Sequence, residues 1–83
     1  MERVKVYGAD WCALTRRTLT HLDRLGVAYD YIDVDYDRDA SEWVMRQNNG
    51  KEKKPTLDIN GRVLTAPTHK QLEDALRTEH VLA

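Results

Sequence analysis

Val4-Lys5-Val6-Tyr7-Gly8-Ala9-Asp10-Trp11-Cys12-Ala13-Leu14-Thr15 runs from a short apolar strand through a loop into the start of a helix. It delivers Cys12, the single cysteine of the chain, to that helix start. There the unpaired N–H groups and the positive end of the helix dipole favour negative charge. A thiol so placed is biased toward thiolate, the nucleophilic form. Three residues on, where a redox pair carries its second cysteine, stands Thr15. The chain therefore presents an activated thiol with no internal partner to resolve a disulfide.

Outward from this stretch, Ala13 to Leu25 reads as a helix, with Leu14, Leu22 and Leu25 joined by Thr18 and Leu19 on neighbouring faces, and Gly26 just past its end. Val27 to Val34 reads as a second strand, Tyr29, Tyr31 and Asp33 alternating with Asp30 and Ile32. A second helix is expected to open at Asp39, with Glu42 completing a capping box and Ala40, Trp43 and Val44 facing a core. Asn48-Asn49-Gly50 closes it. Pro55 to Ile59 and Arg62 to Leu64 flank Asn60-Gly61, the signature of a type I′ hairpin. Thr68-x-x-Gln71 is a capping box, and Leu72, Ala75 and Leu76 form the apolar face of a last helix. The order is β-α-β-α-β-β-α. Its first βαβ unit implies a parallel pair and its hairpin an antiparallel one. The fold class is α/β, a four-stranded mixed sheet with helices on both faces, in one domain spanning residues 1–83.

Bulk composition removes several functions. Eighty-three residues suffice for one core without a staple, and one cysteine excludes a disulfide framework or Cys-rich zinc site. His21, His69 and His80 lack zinc-ligand spacing, so no metal site is expected. Thirteen basic against 14 acidic side chains argue against a nucleic-acid binder. No export signal or membrane span is expected, and the lone cysteine fits a reducing cytoplasm. The acidic set Asp30, Asp33, Asp35, Asp37 and Asp39 alternates along a strand and is read as solvated or helix-capping. The residue six after Cys12 is Thr18, so the Cys-x5-Arg requirement of a cysteine phosphatase fails.

The element order, the Trp11-Cys12 junction and the Pro55 that opens the third strand resemble the thioredoxin fold in its minimal glutaredoxin form. The likeness covers about Val4 to Leu76 and is nearest to the mycoredoxins. It is carried by Tyr7…Trp11-Cys12, Val27-Ala28-Tyr29-Asp30, Ile32-Asp33-Val34-Asp35 and Leu64-Thr65-Ala66-Pro67-Thr68. The resemblance implies a cis peptide bond before Pro55, facing the thiol, and a preceding residue whose backbone pairs with the substrate. It also implies small-thiol binding by the loop before Pro55 and by Thr68 and His69 at a helix start. This chain departs from the family pattern at Thr15, which closes a dithiol mechanism, at Lys53-Lys54 in place of Thr-Val, and at Ala66-Pro67 in place of Gly-Gly. The last change disfavours glutathione and is compatible with mycothiol.

The expected function is that of a monothiol thiol–disulfide oxidoreductase acting on mixed disulfides between proteins and a small thiol, mycothiol or glutathione. Cys12 and Thr15 form the catalytic pair, with two readings open for the Thr15 hydroxyl: donation to the thiolate, or a bond to the backbone of the first turn. Trp11, Lys53, Lys54, Pro55, Thr68 and His69 bind substrate. Lys53, Lys54 and Arg16 are expected to lower the thiol pKa against the opposition of Asp10. No tightly bound cofactor is expected, and the protein is expected to act as a monomer. The alternatives are an iron–sulfur carrier in which two chains bridge a cluster through Cys12, and a redox-inactive scaffold.

Overall fold

The computed structural model describes residues 2–83. Strand β1 (Val4–Gly8) leads into helix α1 (Ala13–Arg24), and β2 (Asp30–Asp33) into α2 (Arg38–Gln47). The hairpin of β3 (Thr56–Ile59) and β4 (Arg62–Thr65) precedes α3 (His69–Thr78). The sheet order is β2-β1-β3-β4, with β1 parallel to β2 and antiparallel to β3. Asn60 and Gly61 carry positive φ of 53° and 95° at the hairpin tip, the conformation that a type I′ turn demands and Gly supplies without strain.

Each sheet face has its own core. On one side Val4, Val6, Leu57 and Ile59 pack against Leu22 of α1 and Leu72, Ala75 and Leu76 of α3. On the other, Val34, Ala40 and Val44 gather with Ile32, Tyr7 and Trp43 under α2. The Tyr7 and Trp43 rings stack there with centroids 4.5 Å apart. Truncating a fully buried leucine such as Leu22 to alanine is worth about 2–5 kcal/mol in cores of this kind. Because β1 lies centrally with both faces covered, its C-terminal end is a fixed point from which the Cys12 loop departs.

Three local expectations are corrected. The buried stripe of α1 is Thr15, Thr18 and Leu22, and Leu14 is 47% exposed. The helix meets the sheet where β1 has no side chain at Gly8, so a small threonine, not a leucine, is admitted. Helix α2 starts two residues earlier than expected: Asp37 is its N-cap, its carboxylate accepting from the Ala40 N–H at 3.0 Å. Asp39 then lies in the first turn, where a carboxylate complements the helix dipole. Strand β2 is shorter than expected because Val27 belongs to the exit of α1. Gly26 N–H donates to Asp23 C=O and Val27 N–H to Leu22 C=O, a Schellman closure with Gly26 at φ 70°.

Candidate active site at the start of helix α1

Cys12 is the N-cap of α1, half-buried, with extended backbone (φ −81°, ψ 118°) and no side-chain capping bond. Its sulfur stands where a cap oxygen would. Burial alone would raise the thiol pKa, but hydrogen bonds to the sulfur from the Thr15 hydroxyl, the Thr15 and Leu14 backbone N–H groups, and the charge of Lys54 together lower it. Thr15 is fully buried, and its oxygen accepts from the Ala9 N–H at 3.4 Å. Thr15 thus accepts from the Ala9 N–H, and its hydroxyl is among the groups that lower the Cys12 thiol pKa. Gly8 makes this possible: a Cβ there would lie 2.5 Å from both Oγ1 and Cγ2 of Thr15.

The loop before Cys12 is braced from the carboxyl end of β2. Asp10 N–H donates to Asp33 at 3.2 Å, and the Tyr31 hydroxyl to the Asp10 carboxylate at 2.8 Å. Burial and that bond raise the Tyr31 pKa well above the ordinary phenol value. Trp11, 67% exposed, donates its indole N–H to Asp35 at 2.7 Å, and Asp35 N–H in turn donates to Asp33 at 2.9 Å. Two members of the acidic set expected as solvated or capping, Asp33 and Asp35, therefore hold the thiol loop. Their partners lie more than twenty residues away in sequence, so no local pattern marks them.

Of the three cations expected to act on the thiol, Lys54 does so. Its ammonium lies 5.2 Å from the Trp11 ring centroid and pairs with Glu52 at 2.7 Å. Glu52 also accepts from the Ser41 hydroxyl, and its hydrogen bond from Lys54 leads the causes holding its carboxyl below the usual range. Arg16 is turned instead to the Asp10 carbonyl, at 2.9 Å, and Lys53 is exposed on the loop. Glu52 was absent from the expected site, although its place two residues before Lys54 is the sequence signal for it.

The Lys54–Pro55 peptide bond is cis, as the resemblance implies. Pro55 is buried, and its carbonyl accepts from the Ala66 N–H at 2.8 Å. This bond ties the start of β3 to the entry of α3. Thr68 caps α3 in a reciprocal box with Gln71 at 3.1 and 2.9 Å, and the His69 ring stacks on His21 at 3.9 Å. A cleft of about 290 Å³ separates this entry from Leu14 and Thr18 of α1. The structure thus gathers Trp11, Thr15 and Lys54 about Cys12, with Pro55 buried next to Lys54 and with Thr68 and His69 across a cleft from α1. A groove of about 790 Å³ lies along α2 beside Tyr7 and Trp43 and includes none of them.

A glutaredoxin family profile matches residues 4–64. The chain is 46% identical over 57 residues to mycoredoxin 1 of Corynebacterium glutamicum, covering 69% of this chain and 70% of that protein. It is 32% identical over 72 residues, 86% of each chain, to a Mycobacterium tuberculosis protein that carries a glutaredoxin name. Among solved structures, a glutaredoxin from Methanosarcina mazei superposes with a TM-score of 0.77 at 30% identity, covering 88% of this chain and 76% of that one. A buckwheat glutaredoxin solved with glutathione superposes with a TM-score of 0.76 at 20% identity, covering 99% and 83%.

Proposed function

The chain belongs to the glutaredoxin family and is a thiol–disulfide oxidoreductase, and we propose that it works as a monothiol enzyme releasing a small thiol from protein mixed disulfides. The observation that carries this reading is the N-cap placement of Cys12, with three donors and one ammonium lowering its pKa. The Cys12 thiolate attacks the small-thiol sulfur of a protein–small-thiol disulfide. That S–S bond breaks, the protein thiolate leaves and takes a proton, and the small thiol remains on Cys12. A second small thiol, as thiolate, attacks the small-thiol sulfur of this adduct. The symmetrical small-molecule disulfide leaves, and the Cys12 thiolate returns. In sum the mixed disulfide and one incoming small thiol become the free protein thiol and the symmetrical disulfide, whose other half is the small thiol taken from the substrate.

Thr15 is the second catalytic residue. Its hydroxyl, oriented by Ala9 N–H, stabilises the Cys12 thiolate both before attack and as leaving group, where a lower thiol pKa speeds departure. Trp11 offers an exposed platform held flat by Asp35 and Lys54. The backbone of Lys54 before Pro55 enters no hydrogen bond among the described residues and lies ready to pair with an extended substrate backbone. Lys53, with Lys54, supplies charge to the small thiol's polar groups, and Thr68 and His69 line the far side of its cleft.

Mycothiol suits the chain better than glutathione. Ala66 and Pro67 replace a glycine pair at the entry of α3, and the relative at 46% identity bears the mycoredoxin name. The enzyme acts as a cytoplasmic monomer in this reading. Among the described residues no helix is long and apolar enough to cross a membrane. The test is turnover of one protein carrying either a mycothiol or a glutathione mixed disulfide. Turnover is expected with mycothiol in excess over glutathione, with the small thiol found on Cys12 by mass and no turnover by Cys12→Ser. Absence of both adduct and turnover with either substrate overturns the proposal.

A further inference from the structure

The charges of this nearly neutral chain are strongly segregated. From Asp30 to Glu42 there are six carboxylates against the single Arg38. Helix α1 carries Arg16, Arg17 and Arg24 against the single Asp23. All three arginines are exposed, and none joins an ion pair among the described residues. With Ala13, Thr20 and His69 they line one groove of about 500 Å³ along the outer side of α1. The groove begins one residue after Cys12. Trp11, the residue before Cys12, is bonded to Asp35 of the acidic segment and carries Lys54 over its ring. The thiol therefore sits at the end of a groove lined by three unpaired arginines, on a loop anchored to the acidic segment.

We infer that the groove along α1 docks an extended acidic segment of the client protein, adjoining the cysteine whose disulfide Cys12 attacks. This rests on the oxidoreductase reading above and adds the chemistry of the partner. A groove from Ala13 to Arg24 is about 16 Å long at 1.5 Å per residue, which an extended segment of about five residues spans at about 3.3 Å each. Unpaired guanidiniums are fitted for this because they bind carboxylates in planar, two-pronged fashion and are weakly hydrated. The acidic segment from Asp30 to Glu42 repels the same peptide, so the field favours approach along α1 as well as raising its rate.

The test uses two peptides with the same central mixed disulfide, one with five flanking acidic residues and one with those residues as glutamine. The intact protein is expected to reduce the acidic peptide about tenfold faster at low salt. That preference should collapse at high salt and in the double variant Thr20→Glu/Arg24→Gln, whose two positions line the α1 groove and not the cleft at the entry of α3, with the neutral peptide's rate unchanged. Binding is read separately by NMR, titrating Cys12→Ser with an acidic peptide that has serine in place of its cysteine. Shifts confined to the exposed side of α1 and to His69 support docking even where turnover fails, in which case the oxidoreductase reading alone falls. No preference between the peptides, a preference that survives in the double variant, or shifts elsewhere overturn the docking proposal. Tighter binding of an oligoribonucleotide or of anionic vesicles than of the acidic peptide overturns it as well.

Discussion

The starts of α1 and α3 solve the same physical problem in opposite ways. Every helix opens with N–H groups that lack partners within the helix. At α3, Thr68 and Gln71 satisfy two of them reciprocally, and the gain is stability. At α1 the N-cap is a cysteine with no side-chain capping bond, so the N–H groups of Leu14 and Thr15 act on the thiol instead, and the gain is a lowered thiol pKa. The capped start is complete within four residues. The thiol start depends on distant support from Gly8, Ala9 and Lys54. A self-contained cap is inert. A cap left to a thiol is reactive, and the sheet must hold it in place.

The largest effect is expected at Gly8. Gly8→Ala sets a methyl group 2.5 Å from Thr15 at fully buried positions, and overpacking of this kind costs about 1–3 kcal/mol. Chemical denaturation would measure that loss, and the pH dependence of alkylation should show a raised Cys12 pKa in the same variant. An unchanged thiol profile would detach Gly8 from the reactive start. Next is Thr15→Val, which keeps the shape but removes the hydroxyl and strands the Ala9 N–H. A hydrogen bond to a charged group is worth about 1.5–3 kcal/mol, so the thiol pKa should rise by about one unit or more. Because the folded thiol pKa is lowered, thiolate persists as pH falls until that pKa is crossed. The variant should therefore lose alkylation rate about tenfold near neutrality and recover it at alkaline pH, while Thr15→Ser stays close to the parent.

Thr68→Ala sharpens the contrast from the other side. Loss of an N-cap typically costs about 1 kcal/mol, or a fall in Tm of about 4–8 °C for a domain this size. The Cys12 alkylation profile should not move. The smallest effect separates the two lysines: Lys54→Val should lower kcat/KM for an anionic small-thiol disulfide by about threefold to tenfold, with the loss shrinking as salt rises. Lys53→Val should change it by less. Equal losses from the two would remove Lys54 from its special place over Trp11.

Much of the architecture was legible because its signals are local. Asn60-Gly61 between apolar runs, the Thr68-x-x-Gln71 box and Gly26 after Leu25 each encode a backbone conformation within a few residues, and each is realised. The α1 stripe was misread by one position. Leucine at 14 is the more apolar choice, and only the approach of β1 at Gly8 makes threonine at 15 the residue that fits. The α2 cap falls at Asp37, not at Asp39, although only Asp39 has a glutamate three residues on to complete a capping box. Asp35 is engaged by Trp11, while Asp37 reaches the Ala40 N–H.

By itself, then, the order of residues determined the sequence of strands and helices, the hairpin register and the placing of the lone thiol at a helix start. These are short-range consequences of periodicity, turn chemistry and capping. The tertiary structure alone decided which groups reach that thiol. It selected Lys54 over Arg16 and Lys53, turned Asp33 and Asp35 into braces, and buried Thr15 between Ala9 and Cys12. Hydrogen bonds and charge act over a few ångströms in space, and residues twenty or forty apart in the chain come within that range only when the sheet has brought their strands side by side.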